Sequence, residues 1–132
     1  MGLADIFFLY LAFRAKQVVC DFFLQTSWMY VAKCRPFSEG GARALFLHSG
    51  IHASFTFLLT LVFAPEFWWL GIVDLVVHAL VDKGKAIITN KMGWTYKDTF
   101  YWWTFGLDQE AHNLTHLAYI IIIVTGSGAV LH

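Results

Sequence analysis

Two stretches of this chain place ionisable residues one helical turn apart inside otherwise apolar sequence: Asp74, His78 and Asp82, then Asp108, His112 and His116. A spacing of four puts these side chains on one helix face, whereas the period of two in a strand does not account for it. Charged groups at bilayer depth are costly; where they occur they face a bundle interior, pair with one another or mark a functional site. The pattern predicts helices packed around a shared polar centre, with apolar side chains on the outside.

Composition points the same way. The 132-residue chain, read as one domain over 1–132, is 58% hydrophobic and 14% charged, against roughly 45–50% and 25% in soluble proteins. So little polar surface predicts an integral membrane protein. The net charge is zero and no Lys/Arg-rich run is present, so no nucleic-acid partner is expected. The apolar run Leu3–Phe13 has no basic stretch before it and no small-residue cleavage site after it, so it does not read as a cleaved signal peptide. Cys20 and Cys34 on one helix would lie about 21 Å apart, too far for a disulfide.

Four helices are expected, over about 3–34, 42–64, 67–90 and 104–130. The breaks are the Arg35–Gly41 stretch with its proline and paired glycines, the tight turn Ala64-Pro65-Glu66, and a connector from Lys91 to Asp98. Helix one carries Arg14, Gln17, Asp21, Gln25 and Trp28 on one face; helix two carries His48, His52, Thr56 and Thr60. The aromatic stretch Phe100–Phe105 suits a headgroup zone. The expected fold class is all-α: a bundle of four transmembrane helices with a polar His/Asp core. Lys33, Arg35, Arg43, Lys91 and Lys97 flank the first and third connections, which the positive-inside rule makes cytoplasmic, with both termini outside. Arg14 and Lys16 oppose this and are expected to snorkel outward. Placed between these ends, Asp21, His52, His78 and His116 fall within about two turns of the midplane.

The motifs occur in a recognisable order: Cys20-Asp-Phe-Phe-Leu-Gln-Thr, then Lys33, His48-x3-His52, His78-x3-Asp82-x2-Lys85, and Leu107-Asp108-Gln109-x2-His112. From about Leu9 to Val124 the chain resembles a family of small bacterial and phage integral membrane proteins catalogued as a domain of unknown function. That resemblance implies a four-helix protein of the bacterial inner membrane and no particular activity. A looser similarity links it to membrane-bound metal-dependent hydrolases with histidine-rich helices, at the level of fold only.

Imidazoles and carboxylates together suit zinc, iron or manganese. The expected ligands are His52, His78, Asp82, Asp108 and His112. Asp21 and Gln25 are ligands or orienting partners, and His48 and His116, one turn further along, rank behind. A metal-dependent hydrolase acting on a lipid-linked ester would use Asp82 or Asp108 as base. Lys83 and Lys85 would then attract an anionic headgroup, or serve only as a basic flank. Other readings stay open: interhelical hydrogen bonding without catalysis, haem held by His52 and His116, an accessory or assembly subunit, or a proton or ion pathway. Expected partners are membrane lipids, a second copy of the chain, or a larger membrane complex.

Overall fold

In a computed structural model, which describes residues 1–128, the chain is all-α. The helices are α1 (Leu3–Val18), α2 (Ser27–Ala32), α3 (Gly41–Phe63), α4 (Leu70–Met92) and α5 (Thr99–Gly126). The expected end of the last helix at 129–130 lies outside the described residues. A single 3-10 turn, Pro65–Phe67, reverses the chain between α3 and α4. Gly71 lets these two helices cross closely: a Cβ there would lie 2.9 Å from Phe57 Cβ and 3.2 Å from the Ala53 carbonyl oxygen. Gly93, at φ +69°, closes α4 in the left-handed conformation that glycine adopts freely.

The expected continuous helix over 3–34 is not what forms. After α1 the chain makes a π-helical turn, Val19–Phe23, with the Leu24 amide donating to the Val19 carbonyl at 2.9 Å. It then breaks, and Thr26 restarts it as the extended N-cap of α2, its Oγ1 accepting from the Met29 amide at 3.2 Å. A threonine that caps a new helix competes with continuation of the old one. The last helix also departs from expectation, beginning at Thr99, so the aromatic stretch Phe100–Phe105 forms its first turns instead of leading into it.

The interior is divided along the bundle axis. At the end holding the α3–α4 turn, Leu9, Phe13, Phe67, Leu70, Tyr119, Ile123 and Val124 form a compact apolar core. Toward the other end the buried side chains are largely polar, including Lys16, Lys33, Asp74, Asp82, Asp108 and five histidines. The outer faces are apolar: Val62, Leu80, Leu107 and Ile121 are 62–77% exposed. Among the described residues one helix, α3, is long and apolar enough to cross a membrane. By that measure the four expected spans reduce to one, since α1 has 16 residues and α4 and α5 bury charged and polar side chains along their inner faces.

Candidate metal centre

Asp21, in the π-turn, faces His48 and His52 of α3 and His78 of α4. One donor atom from each of these four residues lies within 4.8 Å of all the others. Asp21 Oδ1 is 2.9 Å from His52 Nε2 and 3.2 Å from His48 Nε2. His48 Nε2 is 3.4 Å from His78 Nε2. Neighbouring ligand atoms around a tetrahedral zinc, with bonds of roughly 2.0–2.1 Å, sit about 3.3 Å apart. These three contacts have the length of such an edge, and the remaining donor pairs lie within 4.8 Å. Two glutamines fix the carboxylate: Gln17 and Gln109 donate to Asp21 Oδ2 at 2.6 and 2.9 Å, leaving Oδ1 for the imidazoles. Gln25 instead donates to the Asp21 backbone carbonyl at 3.0 Å.

A second group, His78, Asp82 and His112, shares His78 with the first. Asp82 Oδ1 lies 3.2 Å from His112 Nε2, and its Oδ2 accepts from Lys33 Nζ at 2.7 Å. The His78 and His112 rings stack at 4.0 Å. Asp108 stands beside this group: Oδ2 accepts from Lys85 Nζ at 2.8 Å, while Oδ1, 3.6 Å from His112 Nε2, has no hydrogen-bond partner among the described residues.

One step toward the apolar end lies a separate charged knot. Lys16 Nζ donates to Asp74 Oδ2 at 2.5 Å and Thr56 Oγ1 at 2.8 Å, and lies 3.1 Å from His116 Nε2. Tyr119 donates to Asp74 Oδ1 at 3.2 Å. Phe13 stacks on the His116 ring at 5.0 Å, sealing the knot against the apolar core.

The family model described as "Protein of unknown function (DUF3307)" matches residues 7–131, a span that includes both polar clusters. The chain belongs to the DUF3307 family. Neither the curated proteins nor the solved structures gave a match. The resemblance drawn from the motifs holds at the level of this family, whose description carries no host, membrane or activity.

In this DUF3307 protein the expected ligands do not all converge. His52 and His78 meet in the first group, and Asp82 and His112 in the second. Asp108 is in neither, being held by Lys85. His48, ranked behind, sits at the hub, within 3.5 Å of Asp21, Asp82 and His78. His116 belongs to the Lys16 knot and is stacked on Phe13, apart from the group that holds His52. Lys16 does not snorkel: it is 3% exposed, because it shares the inward stripe of α1 with Leu9, Phe13 and Gln17. Lys33, read as a basic flank, is turned inward by the α2 restart onto Asp82. Lys83 is spent on the α2–α3 turn, donating to the Arg35 carbonyl at 2.8 Å and lying over the Phe37 ring. Cys20 and Cys34 are both free thiols.

Proposed function

We propose that this DUF3307 protein is a membrane metalloprotein whose bundle holds one divalent transition metal, zinc, iron or manganese, through Asp21, His48, His52 and His78. The observation that carries this reading is the convergence of three imidazoles and one glutamine-fixed carboxylate oxygen within 4.8 Å of one another, three of their contacts being 2.9–3.4 Å. Three nitrogens and one oxygen form a donor set that all three metals accept. Asp82 and His112 adjoin it and orient His78 by charge and stacking.

The membrane placement rests on the inverted distribution of polarity and on the ends of the helices. Helix α4 spans 23 residues, about 35 Å, a good match to a hydrocarbon core of about 30 Å. Trp68 and Trp69 stand exposed before its start, and Tyr96, Trp102 and Trp103 just past its end. That is the distribution of two interfacial aromatic belts. Of the charged side chains that disqualify α4 by composition, Asp74, Asp82 and Lys85 are turned inward and paired, where lipid does not meet them, while Lys83 and Lys91 lie toward its basic end. Arg35, Arg43, Lys91 and Lys97 lie at the end away from the apolar core, which supports reading that end as the cytoplasmic one by the positive-inside rule.

A bound metal would act as a Lewis acid and lower the pKa of a bound water. In a hydrolytic role Asp108 is the better-placed base, since its Oδ1 is unengaged while both oxygens of Asp82 are occupied by His112 and Lys33. The apolar layer of Phe13, Leu70 and Ile123 favours a centre reached from one end over a proton or ion path through the bundle.

Metal analysis by mass spectrometry on protein purified in detergent at neutral pH tests this reading. About one zinc, iron or manganese per chain is expected, falling to background in His52→Ala and Asp21→Ala, while Asn113→Ala keeps full occupancy. Absence of stoichiometric metal after reconstitution with each of the three ions would refute it.

A further inference from the structure

We propose that the cleft at the basic end of the bundle binds an oxyanion, a phosphate or a carboxylate, between Lys33 and Lys85 and next to the metal. This inference rests on the metal reading above. Two adjoining hollows share Tyr30, Lys33, Lys85 and Phe105 as a common wall, and the inner one reaches Asp21, Asp108 and Gln109. The break between α1 and α2 is what opens it: an uninterrupted helix would carry Lys33 away from Asp82.

Three features of the cleft point to an anion. The first is unused hydrogen-bonding capacity. An ammonium has three donors, yet among the described residues Lys33 Nζ donates once, to Asp82, and Lys85 Nζ once, to Asp108. Facing them, Asp108 Oδ1 and Gln25 Oε1 are buried acceptors with no partner among the described residues. A ligand carrying both anionic oxygens and an O–H would satisfy both sets. The second is charge. The carboxylates of Asp21, Asp82 and Asp108 outnumber the two lysines by one, and the three histidines that hold the metal are neutral; His112, outside that set and held between Asp82 and Asp108, would when protonated only add to the positive side. A divalent ion turns that single negative excess into a single positive one, which one anion neutralises; a second divalent ion would leave the interior strongly positive. Buried charge that is not compensated is costly, so the arithmetic favours one metal with one anion over two metals. The third is position. The cleft opens at the end where the exposed aromatic belt and the basic residues lie, within reach of a lipid headgroup or of a soluble phosphate.

The experiment uses cobalt(II)-loaded protein in detergent, whose visible absorption reports on the metal's surroundings. It is titrated with inorganic phosphate and, separately, with dihexanoyl phosphatidic acid, using dihexanoyl phosphatidylcholine as the zwitterionic comparison. A saturable spectral change with either anion is expected. Lys85→Gln should raise the half-saturation concentration at least about tenfold, as loss of a charge-assisted hydrogen bond would. Lys85→Arg should restore most of the response, and Lys83→Gln, a charge lost outside the cleft, should respond as the unmodified protein does. A response to inorganic phosphate identifies a soluble anion as sufficient; a response to phosphatidic acid alone identifies a lipid headgroup. Either supports the proposal. A cobalt spectrum unmoved by both anions, or moved equally in Lys85→Gln, overturns it and leaves the metal reading standing. Failure of cobalt to bind overturns the metal reading and this inference together.

Discussion

Lys16 and Asp74 are each about 1% exposed at the side chain and 2.5 Å apart, so neither charge has water to fall back on. Breaking a buried pair by removing one partner strands the other, at a cost of about 3–5 kcal/mol, whereas replacing both with apolar residues of similar volume is often neutral. Asp74→Ala and Lys16→Ala are therefore each expected to lower stability by about 3–5 kcal/mol, with the Lys16→Met/Asp74→Leu double variant recovering most of the loss. Unfolding in mixed micelles of increasing sodium dodecyl sulfate measures this; single variants as stable as the unmodified chain would show that the pair carries no such load. Asp74 is legible in the sequence from the four-residue stripe it shares with His78 and Asp82. Its counter-charge is not, because nearness to the chain start reads Lys16 as a residue that snorkels outward. Counting from Leu3 places Lys16 about 20 Å along its helix, at mid-bundle, where a lone cation requires an anion. The same depth count located Asp21, His52 and His78 and would have located their counter-ions. His48 was underrated for a different reason: spacing shows which face a residue occupies, and only packing shows which of two residues on that face stands at the hub.

At the scale of elements, the α3–α4 crossing decides whether His48 and His52 meet His78. It depends on Gly71, where a Cβ would press within 2.9 Å of Phe57 Cβ. Phe57 Cβ is fixed to its own backbone and cannot swing aside, so the helices must separate. Gly71→Ala is expected to cost about 1–3 kcal/mol and to weaken metal binding. Gly84, in the same helix, has nothing within 4 Å of its would-be Cβ, so Gly84→Ala is expected to leave stability unchanged or raise it by up to about 1 kcal/mol. The same micelle unfolding assay compares the two, and equal effects would mean that the crossing has slack. The helices α3 and α4 were readable from periodicity and from the Pro65 turn. The π-turn was not: Arg14, Gln17, Asp21, Gln25 and Trp28 fit one continuous face, yet Trp28 is 49% exposed while Gln17 is buried. One extra residue in a helical turn rotates everything after it while leaving the letters before it unchanged. Thr26 was the available signal, a good capping residue in the middle of what periodicity presents as a single helix.

At the scale of the whole molecule, the proposed membrane placement turns on how many helices cross, and two alternatives give opposite outcomes at one position. If α3 alone crosses, Ser38 before it lies on one side and Glu66 and Lys97 after it lie together on the other. If α4 also crosses, Lys97 returns to the side of Ser38. Physical reasoning favours the return. Without it, α4 would leave Leu80, Ile87 and Ile88, 51–67% exposed, in contact with water. It would also hold Asp82 and His78 against α3 at a depth where no second apolar wall shields them. With it, every buried charge of α4 faces a partner on α1, α5 or the segment just after α2, and hydrocarbon meets only the apolar outer faces. The test is labelling of single cysteines at Ser38, Glu66 and Lys97 in a chain whose native Cys20 and Cys34 are serine, using a membrane-impermeant maleimide on sealed and on opened vesicles. Ser38→Cys and Lys97→Cys are expected to react together from the face opposite Glu66→Cys. Reaction of Lys97→Cys from the same face as Glu66→Cys would reduce the bundle to a single span. It would also place the metal-ligand group, half of which hangs from α4 and the π-turn, outside the hydrocarbon.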